Sequence, residues 1–190
     1  LNNFVISREK SFFYDHSSLN KIINGNKFIE SYSLAKLKSF NPNIFNCCDK
    51  HRMYIEIIQN TNKDIKEGAV FNETGIIGQV VNNKSFYEVM LLTDTKSSIP
   101  LTNSKENFYC NALGSGVSGY ITCSYSQLVW LDNHELGEKF FSSGLGGIYP
   151  KGIEIGNLES IKIVDTSTTL LTIKLISNPL HSNLFGVIKL

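Results

Sequence analysis

The stretch SSGLGGIYPKG, residues 142–152, holds four glycines, a proline and a lysine between two apolar runs of β character, KFF before it and IEIGNL after it. Glycine at this density marks a backbone that needs positive φ or close approach, and proline after it forbids a continuing helix. Two chemistries compete with a purely structural role. A phosphate-binding P-loop needs GxxxxGK followed by Ser or Thr, so that backbone N–H groups wrap the phosphates and the lysine reaches them. Here Gly147 leads into GIYPK and the pattern fails. A dinucleotide fingerprint needs GxGxxG opening a helix, whereas GLGGIY lacks the third glycine and Pro150 blocks the helix. Lys151 then reads as an exposed turn residue that is replaceable without loss.

Outward from this loop the chain reads as β. Residues 53–58 (MYIEII) form a strand candidate, residues 72–75 a turn, and residues 76–81 (IIGQVV) and 86–92 (FYEVMLL) a hairpin closed by Asn82 and Asn83. Residues 160–164 and 169–176 flank DTST, with Ile161, Ile163, Leu171, Ile173 and Leu175 alternating with Lys162, Thr172 and Lys174. That alternation predicts one dry face and one wet face. Short strands with turn chemistry between them argue for a barrel or sandwich and against a parallel α/β sheet. Before them, Leu19, Ile22 and Ile23 fall at helical spacing ahead of Gly25, so residues 12–24 read as the end of a helix.

Composition narrows the function classes. A chain of 190 residues with 18 basic and 17 acidic side chains has no net field to attract nucleic acid or an acidic membrane surface. No apolar run reaches the ~20 residues of a membrane helix, and no secretory signal pattern opens the chain. Because it opens on Leu1, it is read as a fragment or processed form. The four cysteines, 47, 48, 110 and 123, match no metal-ligand spacing, and their three possible pairings stay open; the simplest reading is small buried apolar side chains. Neither a metal nor a cofactor is expected. His51, Asp94 and Ser118 or Ser143 occur in the order of a chymotrypsin-like triad, but GVSGY and SSGLGG supply only parts of the turn that forms an oxyanion hole, and His51 beside Lys50 and Arg52 reads as a solvated loop before a strand. Phe108, Tyr109, Tyr120, Tyr125 and Trp130 are divided between barrel core and partner groove, with core the simpler expectation.

In its full context the glycine loop resembles the signature of the rod shape-determining protein MreC family. Gly144, Leu145, Gly146, Gly147, Pro150 and Gly152 match that signature directly, while Glu138 stands for its Asp, Ser142 for its Thr and Tyr149 for its Phe. Upstream, Gly75, Gly78, Gln79, Val80, Val89, Leu91, Leu92, Asp94 and Pro100 occupy the family's glycine-opened strand, its V-x-L-L-x-D segment and the following Ile-Pro pair. The resemblance runs from about Phe28 to Leu190, with the 133–136 linker shorter than in the family. It implies a mainly β fold of two small barrels after the end of a coiled-coil helix. The expected division is residues 1–27 for helix end and linker, 28–98 for a first barrel that C-terminal strands complete, and 99–190 for a second.

The function implied by the resemblance is a non-enzymatic, single-pass inner-membrane scaffold of cell-wall elongation with its barrels outside the cytoplasm. Its implied partners are itself, as dimer or filament, the elongation-specific penicillin-binding transpeptidase, MreD and, indirectly, MreB. Gly75, Gly78, Asp94, Pro100, Gly144, Gly146, Gly147, Pro150 and Gly152 are then structural signature residues, not catalytic ones. Two alternatives stand beside it: a serine hydrolase, which would react with an active-serine probe, and a ligand-binding barrel, which would enclose an apolar cavity.

Overall fold

A computed structural model describes residues 17–24, 32–41, 49–59, 65–82, 86–126 and 134–188. One helix, α1 (Ser17–Ile23), precedes twelve strands: β1 (Ser33–Phe40), β2 (Arg52–Gln59), β3 (Gly68–Asn72), β4 (Gly75–Asn82), β5 (Tyr87–Leu91), β6 (Ser98–Asn103), β7 (Tyr109–Gly114), β8 (Tyr120–Ser126), β9 (Lys139–Ser142), β10 (Glu154–Ile163), β11 (Thr168–Leu175) and β12 (Leu184–Ile188). Every pairing is antiparallel, and the strands close two six-membered barrels in the orders β1-β12-β3-β4-β5-β2 and β10-β11-β8-β7-β6-β9. The mainly β, two-barrel fold expected from the sequence is the one observed. After β11 the chain returns to the first barrel, where β12 slots between β1 and β3.

Side chains fill both interiors. Met53, Ile55, Val70, Val80, Val89, Phe185 and Val187 occupy the first barrel, and Ile99, Leu101, Phe108, Ala112, Ile121, Phe140, Leu171 and Ile173 lie in the second. Leu19 of α1 is buried in the same cluster as Leu34, Ala69, Phe71 and Ile76 of the first barrel, while Tyr32 packs edge-on to Phe71 with ring centroids 5.5 Å apart. This is a small helix docked on a barrel wall. Residues 12–16 and Gly25 of the expected helix lie outside the described residues.

Turn chemistry explains the hairpins. Between β3 and β4, Asn72 Oδ1 accepts from Thr74 N–H at 2.9 Å, an Asx turn that makes Asn72 and Gly75 the last paired residues. In DTST, Asp165 Oδ1 accepts from the N–H groups of Ser167 and Thr168, both at 2.8 Å. Those contacts, the Ser167 N–H first, hold the Asp165 carboxyl below its ordinary range.

The alternation predicted for the β10–β11 hairpin holds along β11, where Leu171 and Ile173 are buried and Lys174 is exposed. It fails at the end of β10. Ile161 and Ile163 pair with Leu171 and Thr169, yet they are 41% and 67% exposed. The cause is topological: β9 pairs with β10 only from Glu154 to Asn157, so no described strand covers the remainder on that side.

Among the aromatic candidates, Phe108 is buried and Tyr125 stacks edge-on against it at 5.1 Å, while Tyr109 is exposed. Trp130 lies outside the described residues. Cys110 and Cys123 are bridged, one of the three pairings left open, so they are not free buried thiols. Cys47 and Cys48 lie outside the described residues.

Candidate functional site

The glycine loop joins β9 to β10, so no helix N-terminus stands behind it to receive a phosphate. Gly144, Gly146, Gly147 and Gly152 adopt φ of 81°, 81°, 68° and 83°, the left-handed region where a Cβ is strained. Two serines tie the loop down. Ser142 N–H donates to Ile153 O at 2.8 Å, and its Oγ accepts from Ile153 N–H at 3.0 Å and donates to Pro150 O. Ser143 donates through N–H and Oγ to the carbonyl of Pro100, at 3.0 and 3.1 Å, fastening the loop to β6.

The loop's interior and exterior differ. Tyr149 and Pro150 are buried, whereas Leu145 is 58% exposed at the tip. Burial pushes the Tyr149 phenol well above its ordinary pKa, with the nearby Ser97 hydroxyl acting the other way. Its ring joins a continuous apolar cluster with Phe71 and Ile76 of the first barrel, Leu92 of the connector and Ile99, Ile153 and Ile155 of the second. Lys151 is half-exposed and paired with Glu106 at 2.9 Å, an ion pair on the rim.

The connector between β5 and β6 is the second part of the site. Asp94 is 1% exposed, and its Oδ2 accepts from His51 N–H at 2.9 Å and Arg52 Nε at 2.8 Å, while Oδ1 accepts from Lys96 N–H at 2.9 Å. A carboxylate so enclosed fastens the connector to the start of β2 in the first barrel. Across it, Gly114 N–H donates to Ser97 O at 3.1 Å and Gly116 N–H to Thr93 O at 3.0 Å. A methyl on Gly114 would collide with the Asp94 carbonyl, and one on Gly78 with the Met90 carbonyl of β5. Gly75 lies where Asn72 Nδ2 donates to Asn178 O at 2.8 Å and Asn178 N–H donates to Thr74 Oγ1 at 2.9 Å, stitching the β3–β4 turn to the return segment.

This arrangement does not join the triad candidates in a triad's hydrogen-bond pattern. His51 Nδ1 shares a hydrogen bond with Thr93 Oγ1 at 2.7 Å, Asp94 holds the backbone and not the ring of His51, and Ser143 Oγ serves Pro100. Among the described residues, no hydrogen bond joins His51 to Ser118 or Ser143. Burial lowers the His51 pKa, and the Asp94 charge opposes that shift. Ser118 lines an open cleft of about 350 Å³ between the barrels, with Leu92, Thr93, Leu175, Ile176 and Leu180 among its walls. Among the described residues, no cluster of three or more His, Cys, Asp or Glu is placed to hold a metal.

Sequence reading singled out Asp94 and the glycine loop but not the other groups at the junction. Arg52, beside His51, was read as part of a solvated loop, yet it is 8% exposed and points into the junction. Gly114 carries no motif; its one signal is a second glycine two residues later, with no hairpin-length turn between them.

Fold and site thus define a tandem-barrel protein whose two halves share one core across a glycine loop and a buried carboxylate. The profile described as rod shape-determining protein MreC, barrel core, matches residues 44–189, and the chain belongs to that family. A curated relative, the cell shape-determining protein MreC of Caulobacter vibrioides, is 31% identical over 88 residues, which cover 46% of this chain and 25% of that protein. The chain therefore matches about a quarter of that relative's length. The crystal structure of MreC from Pseudomonas aeruginosa superposes with a TM-score of 0.70 at 22% identity, covering 83% of this chain and 99% of that one. A structure titled as a complex between penicillin-binding protein PBP2 and MreC from Helicobacter pylori gives 0.62 at 17% identity, covering 83% and 97%. At these identities the structural likeness is one of fold.

Proposed function

We propose that this chain is the extracytoplasmic barrel part of a non-enzymatic scaffold that maintains rod cell shape by organising peptidoglycan synthases. In this reading the whole protein is anchored in the inner membrane by a single helix; among the described residues no helix is long and apolar enough to cross a membrane. Its partners are a second copy of itself, an elongation-specific penicillin-binding transpeptidase, MreD and, through these, MreB. The observation that carries the reading is the barrel-core family match over residues 44–189. The Helicobacter pylori relative, whose structure is titled as a complex with PBP2, supports the transpeptidase as partner.

The junction supports a scaffold because a shared core and the hydrogen bonds from Gly114 and Gly116 to the connector hold the barrels as one unit, so that contacts on either barrel keep a fixed spacing. The open stretch of β10, with Ile161 and Ile163 exposed, supports strand addition as the mode of contact, main-chain bonds supplying affinity and alternate side chains specificity. Depletion of the protein in the rod-shaped bacterium that encodes it tests this directly. Cells are expected to round up and to recover when the full-length gene is restored; rods that persist through depletion contradict the proposal.

A further inference from the structure

The strands of the second barrel do not pair equally. β8 and β11 share seven registered residue pairs and β6 and β7 share five, but β7 and β8 share two, Leu113 with Thr122 and Gly114 with Ile121. Beyond Thr122 the ladder stops, and the next residue of β8 is Cys123, bridged to Cys110 of β7 with Cα atoms 6.2 Å apart. Phe108, which leads into β7, and Tyr125, near the end of β8, meet edge-on at 5.1 Å at the same end of the two strands, with His134 packed against both. The covalent link therefore stands where hydrogen bonds between these two strands have ended.

We propose that the Cys110–Cys123 bridge is the closure of this barrel seam, and that a thiol oxidant of the disulfide-carrier class must act on the chain to complete it. The chemistry is two-electron. One thiolate attacks the carrier's disulfide, releasing one carrier thiolate and leaving a mixed disulfide; the second thiolate attacks the mixed disulfide, forming the Cys110–Cys123 bond and releasing the other. Two protons and two electrons leave the protein, and the carrier disulfide becomes two thiols. Burial sets the order in a barrel that has already folded in the reduced state. Cys123 is fully buried and Cys110 partly exposed, so Cys110 takes the mixed disulfide and Cys123 resolves it. Bridges of this kind persist in oxidising compartments. The inference goes beyond the scaffold reading and stands without it.

The test uses the full chain carrying Cys47→Ser and Cys48→Ser, which leaves one pair to read. Produced in an oxidising compartment, it is expected to resist alkylation until reduced. After reduction, with the fold retained, Cys110 alkylates first, and oxidised glutathione accumulates as a mixed disulfide on the added Cys123→Ser variant but not on Cys110→Ser. Reduction is expected to speed hydrogen exchange in β7 and β8 by on the order of a hundredfold, the factor a loop of this length confers. Exchange in β3 and β4 stays unchanged. Free alkylation before reduction overturns the proposal, as does unchanged exchange along β7 and β8. Uniform acceleration through both barrels overturns it too, because the bridge would then act globally and not on the seam.

Discussion

Removing the Asp94 carboxylate should cost far more than removing a solvent-exposed one, because it is buried. Asp94→Ala leaves Arg52 buried with its Nε unpartnered and only Glu88, 3.5 Å from a guanidinium nitrogen, to offset its charge, and it strips the acceptor from the N–H groups of His51 and Lys96. Breaking a buried pair from one side costs about 3–5 kcal/mol, a large share of the 5–15 kcal/mol that holds a typical domain folded. Arg52→Met is milder, about 1–3 kcal/mol, because Asp94 keeps two backbone donors and methionine fills part of the space. In the double variant no cation is stranded, so the loss should fall short of the sum of the two by about 2 kcal/mol. Urea unfolding followed by fluorescence gives each term, with an unchanged m-value certifying that the same surface is exposed. The reasoning fails if the two single losses add to within ~0.5 kcal/mol, or if Asp94→Ala costs less than ~1 kcal/mol.

Gly147→Val places a β-branched side chain at φ 68° and should cost about 1–3 kcal/mol, read as a Tm lowered by several degrees; Gly146→Val should behave alike, and an unchanged melt for both removes the strain argument. Gly114→Ala should cost about 1–3 kcal/mol through collision with the Asp94 carbonyl, checked by the same melt. Because burial lowers the His51 pKa, the folded state favours neutral His51. Its stabilising contribution is complete above the unfolded value of about 6.5 and fades as pH drops through it towards the lower folded value. The urea midpoint should therefore fall between pH 7.5 and 5.5 by less in His51→Gln than in the parent, and identical pH slopes contradict this. Ile163→Lys should weaken transpeptidase binding by roughly tenfold while leaving the melt unchanged, and unaltered binding would move the contact off the β10 edge.

The barrels were legible because period-two alternation and turn residues are local signals. Asn72 and Asp165 write their turns into the sequence through their own side chains. The alternation through Ile161 and Ile163 was equally clear, yet it could not reveal their exposure, because that depends on where β9 stops, a partner distant in sequence. The glycine loop was legible as a backbone device, and Lys151 as a rim residue, although its pairing with Glu106 joins segments 45 positions apart. Arg52 was misread for the same reason. Following Lys50 and His51 it looks solvated, and the feature that buries it is Asp94, 42 residues away. Gly114 carried no motif at all, since its need arises from the close approach of another segment's carbonyl and not from its own φ. Pairings made through the fold, not along the chain, are what the sequence withheld.

As the proposed scaffold for a wall-synthesising transpeptidase, the two barrels should bind that enzyme. Equilibrium binding of the purified chain to the extracytoplasmic part of the elongation transpeptidase from the same bacterium tests it most directly. Saturable binding is expected, competed away by an excess of unlabelled chain and weakened by Asp94→Ala, which disturbs the junction. No binding at any concentration at which both proteins remain soluble, with the chain shown to be folded, would contradict it.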